Sequence, residues 1–157
     1  MDEERGAEQR ALFRRWPAGV SVVVAEADGR RAGLTVSTLL SLSLEPRLIG
    51  ISIALEASLH EVLRGADEWA VSILGGDQEH LAQHFARSVP PIALWDGIEV
   101  RDDDPRLLAG AVGWIIARTV DVTATGDHSF FVGEIVHLEQ GRAPESLVWV
   151  HRGYRGL

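Results

Sequence analysis

The residues in this chain whose types suit chemistry are mostly hydroxyls. Gly33-Leu34-Thr35-Val36-Ser37-Thr38 runs directly into Leu39-Leu40-Ser41-Leu42-Ser43. Hydroxyls beside free backbone N–H groups suit the polar edge of a ring system or a phosphate. The same pattern also describes a strand with Ser and Thr on its solvent face. Ser58 opens Ser58-Leu59-His60-Glu61, a helix start where orphan N–H groups could hold a phosphate or where Ser is simply an N-cap. Gly126-Asp127-His128 could aim an imidazole from a turn into a cleft, or be a plain turn with a solvent-facing ring. His80 and His84 share a helix face; with no HExxH pattern around them, a solvated face is the simpler reading and no metal is expected. His151-Arg152-Gly153-Tyr154, with Arg155, is a basic stretch free of acids that could meet a nucleotide phosphate, or a frayed terminus.

Two absences narrow the chemistry further. The 157 residues include no Cys and no Lys. Thiolate nucleophiles, zinc–cysteine sites, Schiff bases and a Walker A lysine are therefore excluded. No GxGxxG follows a strand, and no GxSxG elbow is present.

These residues must be positioned by short elements. Asp2 to Arg15 is rich in helix formers, with Ala11, Leu12 and Trp16 as an apolar stripe, and Pro17-Ala18-Gly19 ends it. Val20–Ala25 and Arg31–Thr38 are strands joined through an Asp28-Gly29 hairpin turn. Leu39–Leu44 alternates Leu with Ser, the period of a half-buried strand. Leu48–Ile53 is another strand, thinned on one face by Gly50. The Ser58…Glu61 capping box predicts a helix over about Leu59–Arg64. Trp69–Leu74 returns to strand, Asp77 caps a helix through Phe85, and Ser88–Pro91 is loop. Asp102-Asp103-Asp104-Pro105 reads as a solvated acidic turn. Ala111–Val122 and Ser129–Leu138 are long strands, and Leu147–Val150 is a last short one. Seven or eight strands linked by short turns, with two or three short helices, predict a mainly β, antiparallel β-barrel.

Length and charge agree with one domain over residues 1–157, with 1–15 as an N-terminal helix. Apolar residues make up 46% and charged residues 24%, and the net charge is -8. That acidity argues against nonspecific binding to nucleic acid or to an anionic membrane. With no 18-residue apolar run and a charged N-terminus, the expected location is cytoplasmic.

Taken in order, eight segments resemble the short-chain flavin reductase family, which has the FMN-binding split-barrel fold with Greek-key-like, antiparallel strands. They are Trp16-Pro17-Ala18-Gly19-Val20, Gly33 to Thr38, Ser41 to Pro46, Ser58-Leu59-His60, Trp69 to Leu74, Leu107 to Ala111, Gly126-Asp127-His128 with Gly133, and His151 to Leu157. The resemblance covers roughly Ala11 to Leu157. It implies a homodimer that binds FMN or FAD noncovalently, oxidises NAD(P)H and passes reduced flavin to a flavin-dependent monooxygenase. It implies that Thr35, Val36, Ser37 and Thr38 lie along the flavin. Ser52, Leu55, Ser58, Leu59 and His60 would belong to the loop and helix start around its phosphate, and Phe85 to its outer edge. His128, His151 and Tyr154 would face the nicotinamide, with His128 the catalytic-side residue.

The chain also departs from the family pattern. Ser72 stands where members often carry Asn, and Glu56 where the loop often carries a basic residue. Val89–Leu94 lacks the usual acidic-basic-aromatic run, and the tail before Tyr154 is one residue short. Two other readings are a flavin-binding module without NAD(P)H reductase activity and a split barrel that serves only as an assembly partner. Yellow protein that does not oxidise NAD(P)H marks the first; intact dimers that take up no flavin mark the second.

Overall fold

The computed structural model describes residues 2–87, 89–142 and 145–157. In chain order the elements are helix α1 (Asp2–Phe13) and strands β1 (Ala18–Gly19), β2 (Ser21–Ala27), β3 (Arg30–Val36), β4 (Leu40–Leu44) and β5 (Arg47–Ala54). Helix α2 (Ser58–Gly65), β6 (Glu68–Ile73) and helix α3 (Glu79–Ala86) follow. The long strands β7 (Gly113–Thr125) and β8 (His128–Gln140) and the short β9 (Leu147–Val150) and β10 (Gly153–Gly156) complete the chain.

Seven strands form one antiparallel sheet in the order β3-β2-β6-β7-β8-β5-β4. Its outer strands, β3 and β4, are neighbours in sequence, separated only by Ser37, Thr38 and Leu39. Three residues reach roughly 12 Å, so the two edges must approach and the sheet must curl. Thr38 locks that corner: its Oγ1 donates to Ser52 O and accepts from Ser52 N, both at 3.1 Å. Register shifts in the β7–β8 ladder near Ile116 and Val120 bend the long hairpin around the barrel.

Alternation along β5 directs Ile49, Ile51 and Ile53 inward, where they meet Val23, Trp69, Val71 and Phe131. Leu59, Val62 and Leu63 of α2 plug the same core. The other side of β2, with Val22 and Val24 and the preceding Val20, is covered by Leu81, Ala82 and Phe85 of α3 and by Leu94. Gly33 makes that second layer possible, since a Cβ there would lie 2.9 Å from Phe85 Cε1.

Several expectations are corrected. The capping box does not form: Ala57 is the N-cap of α2, with no side-chain cap bond, and Ser58 is already helical. Asp77 does not cap α3, whose N-cap is Gln78; Asp77 binds Arg142 instead, with Arg142 Nη1 at 2.8 Å. The β4 leucines are not half-buried, because β4 is a sheet edge, and Leu40, Leu42 and Leu44 are all exposed. The stripe on α1 is likewise exposed at Leu12 and at Trp16 beyond its end. The acidic turn is exposed at Asp102 and Asp103 as expected, but it is also ion-paired: Arg101 holds Asp103 at 2.7 Å, and Arg106 holds Asp104 at 2.8 Å. His84 is not on a solvated face, since its Nε2 lies 2.7 Å from Leu94 O. The terminus is not frayed, because β10 pairs with β9 over four residues. Of the expected loop Ser88–Pro91, Ser88 lies outside the described residues.

Candidate functional site

A cleft of about 540 Å³ opens on the outer face of the barrel, between β5–β8 and the end of α1. That is within the range of small-molecule sites, about 300–1,000 Å³. Alternation explains its floor. With the isoleucines of β5 turned inward, Gly50, Ser52 and Ala54 face outward. Ser52 pairs with Phe130 of β8, and both line the cleft. Phe130 lies over Gly50: a Cβ on Gly50 would come within 2.9 Å of Phe130 Cε2 and of Leu42 Cδ1. The missing side chain therefore seats the Phe130 ring.

The remaining walls come from four segments. Ser37, Thr38 and Leu40 enter from the β3–β4 corner and Trp149 from β9. Phe13 and Trp16 supply an aromatic wall, and Arg10 and Arg14 the charge. Tyr154 packs on the far side of Trp149, with ring centroids 4.8 Å apart. Among the described residues no carboxylate lines the cleft, although the chain as a whole carries a net charge of -8.

The residues expected from sequence separate into groups. Ser37, Thr38 and Ser52 meet in this cleft. Thr35 turns away and donates to Ala82 O at 2.7 Å, which ties β3 to α3. Val36, Leu59 and Phe85 lie in the interior. His60 is also buried, its Nε2 2.8 Å from Ser129 Oγ. Leu55 is exposed, with its N–H donating to Asp127 O at 2.9 Å. Ser58 lines a different cleft with Arg30, Arg31 and Trp95.

His128 lies on the same side of β8 as Phe130, two residues along, or about 6.6 Å. Its Nδ1 is 2.7 Å from Asp127 Oδ1, and that hydrogen bond holds the Asp127 carboxyl below its ordinary range. His151 is exposed with φ 51°, and its N–H donates to Arg14 O at 2.6 Å, joining the β9–β10 turn to α1. Burial, and then the charge of Glu79, raise the Tyr154 phenol above its usual value. Tyr154 and Arg152 line a smaller hollow of about 420 Å³ beside Trp149.

Residue type did not single out Phe13, Phe130, Trp149, Arg10 or Arg14 as site residues. For Phe130 a signal existed, since it stands two residues after His128 on an alternating strand. For the others the signal is tertiary. Ser72, the departure from the family pattern, is fully buried and accepts from Leu108 N at 3.0 Å, so it holds the 107–108 segment. Glu56 is exposed and lines neither cleft.

The fold is thus an antiparallel barrel whose outer cleft combines aromatic walls, hydroxyls and cations. The flavin reductase like domain matches residues 13–157, so the chain belongs to that family. It is 35% identical over 137 residues to the NADH:FMN oxidoreductase of Rhodococcus qingshengii, covering 83% of this chain and 70% of that protein. It is 35% identical over 144 residues to the reductase component of 4-hydroxyphenylacetate 3-monooxygenase from Thermus thermophilus, covering 91% of both. The solved NADH:FAD oxidoreductase of Streptomyces globisporus C-1027 superposes with a TM-score of 0.88 at 28% identity, over 96% of this chain and 92% of that one.

Proposed function

We propose that this chain is an NADH-dependent flavin reductase that reduces FMN or FAD and supplies reduced flavin to a flavin-dependent monooxygenase. The observation that carries this reading is the acid-free aromatic cleft in a chain of the flavin reductase family. The residues present fit a flavin: the ring needs flat apolar walls, which Phe130, Trp149 and Trp16 offer, and hydroxyls at its polar edge, which Ser37 and Ser52 offer. Bound flavin would supply the two-electron acceptor that the side chains lack.

The protein's own contribution is position. Gly50 and Thr38 set the cleft floor, and Trp149, braced by Tyr154, sets one wall. Holding two rings in contact turns a bimolecular hydride transfer into an effectively unimolecular one, which can lower the barrier by about 7–11 kcal/mol. His128, on the Phe130 side of β8, faces the nicotinamide in this reading, and Asp127 orients its ring. Residues 1–157 act as one domain. The exposed leucines of edge strand β4, with Leu12 and Trp16, are the surface for a homodimer. Among the described residues, no helix is long and apolar enough to cross a membrane.

Anaerobic NADH oxidation by flavin-stripped protein, with FMN or FAD added back, tests the reading. Turnover should saturate with free flavin. His128→Ala should lower kcat about tenfold and leave flavin affinity within twofold. No turnover with either flavin, using NADH or NADPH, would overturn it.

A further inference from the structure

Among the described residues, His60 is the one histidine buried in the barrel, and the flavin reading leaves its side chain without a task. It stands in the first turn of α2, a helix fixed by Leu59, Val62 and Leu63 in the core. Its ring turns inward onto β8. Nε2 lies 2.8 Å from Ser129 Oγ, and the imidazole packs edge-on against Phe131 with ring centroids 5.6 Å apart. Ser129 and Phe131 are both buried.

Alternation gives that grip its consequence. Ser129 and Phe131 face the interior, so His128 and Phe130 face outward. A slip of β8 by one residue would exchange the two sets. Ladder bonds to β5 and β7 hold the backbone, but backbone groups are alike in every register. The β7 ladder is also irregular, with shifts next to Ala117 and near Val120. A buried hydroxyl against a buried imidazole does discriminate, because in the wrong register both groups lose their partner.

The two outward residues depend on this grip unequally. Phe130 has a seat of its own over Gly50. His128 is the first residue of β8, and among the described residues its one side-chain hydrogen bond is to Asp127, whose side chain is 95% exposed. Leu55 N donates to Asp127 O, which fixes the backbone of the turn but no side chain.

We infer that His60 is a positioning residue for hydride transfer: carried by α2, it holds Ser129 and Phe131 and thereby aims His128 out of the barrel toward the nicotinamide. The inference rests on the flavin reductase reading and on the role given there to His128. It goes beyond both by naming the group that sets the strand.

NADH oxidation at saturating flavin, flavin fluorescence titration and a melting curve are measured on full-length protein. The variants are His60→Phe, His60→Gln, Ser129→Ala, the double variant His60→Phe/Ser129→Ala, and His60→Phe combined with His128→Ala. Phe keeps the packing against Phe131 and removes the hydrogen bond, whereas Gln keeps a donor and an acceptor. His60→Phe and Ser129→Ala should each lower kcat about fivefold, the scale of one hydrogen bond. Flavin affinity should stay within about twofold, and the double variant should be no slower than either single one. Gln should recover most of kcat. With His128→Ala already present, His60→Phe should cost nothing further. The full loss in that background, a loss of flavin affinity as large as that in kcat, or a lowered melting temperature with unchanged kcat would mean that His60 only supports the fold; each overturns the inference. If His60→Phe fails to fold, the milder Ser129→Ala carries the same test, alone and with His128→Ala. Wild-type protein that turns over neither flavin would overturn the flavin reductase reading, and unchanged kcat in His128→Ala would overturn the role of His128, in either case with this inference. Loss at His128 without loss at His60 or Ser129 would overturn this inference alone.

Discussion

Two clefts of similar size flank β3, and they differ in what their polar groups have left to give. The cleft beside the N-terminus of α2 has a volume of about 670 Å³ and is lined by Ser58, Arg30, Arg31 and Trp95. Its arginines and Trp95 already have partners. The Arg31 guanidinium lies 3.9 Å from the Trp95 ring centroid and donates to Pro105 O at 3.0 Å. Trp95 Nε1 donates back to Arg31 O at 2.9 Å, and Arg30 lies 3.6 Å from Glu61. The cleft beside α1 is smaller, at about 540 Å³. Its Ser37 and Ser52 hydroxyls and both arginines have no side-chain partner among the described residues. A ligand that draws on the arginines of the first must compete with existing contacts, whereas those of the second have none among the described residues. The two clefts therefore differ in the state of their cations more than in volume.

The sharpest way to break this comparison is at Gly50. Gly50→Ala should push Phe130 out of its seat and weaken flavin binding about tenfold or more, at a stability cost of about 1–3 kcal/mol. Fluorescence titration and a melting curve read the two effects separately; unchanged flavin affinity would show that the Phe130 ring does not form the ligand wall. A smaller effect is expected at Ser52→Ala, about fivefold in flavin affinity, from one hydrogen bond worth about 1 kcal/mol. The Thr38 link uses only the Ser52 backbone, so the melting temperature should not move. The smallest effect is expected in the other cleft. Ser58→Ala and Trp95→Leu should leave flavin affinity within twofold in the same titration, and a tenfold loss in either would move the site to the α2 side.

Much of the strand order could be read from sequence because it is written in local patterns. The Asp28-Gly29 turn adopts the expected left-handed pair, with φ of 52° and 74°, and joins β2 to β3 as a hairpin. The turn at Gly126-Asp127 likewise joins the two longest strands. Errors arose where a local signal had a distant competitor. Ser58…Glu61 matched a capping box, but the chain enters α2 one residue earlier, at Ala57. Asp77 looked like a cap, but Arg142, 65 residues away, takes its carboxylate.

The hydroxyl segment at the end of β3 shows the same division. Thr35, Ser37 and Thr38 are alike in type and adjacent in sequence. Thr35 serves α3, Thr38 locks the barrel corner onto Ser52, and Ser37 is left to the cleft. Residue type established that hydroxyls were present; which hydroxyl remained free depended on the partner that folding brought to each.

By itself, the sequence determined the class of chemistry and the architecture. Absence of Cys and Lys removed thiolate and Schiff-base routes, and alternating short strands with tight turns pointed to an antiparallel barrel. The tertiary structure alone decided the site. Curling of the sheet brought the β3–β4 corner against β5, opened the outer face of β5 and β8 at Gly50, and laid the end of α1, with Arg10 and the following Arg14, beside them. The physical reason is range: a turn or an alternating strand is specified by neighbours within a few residues. A cleft is specified by contacts between segments more than a hundred residues apart, such as Arg14 with His151, and these exist only once the barrel has closed.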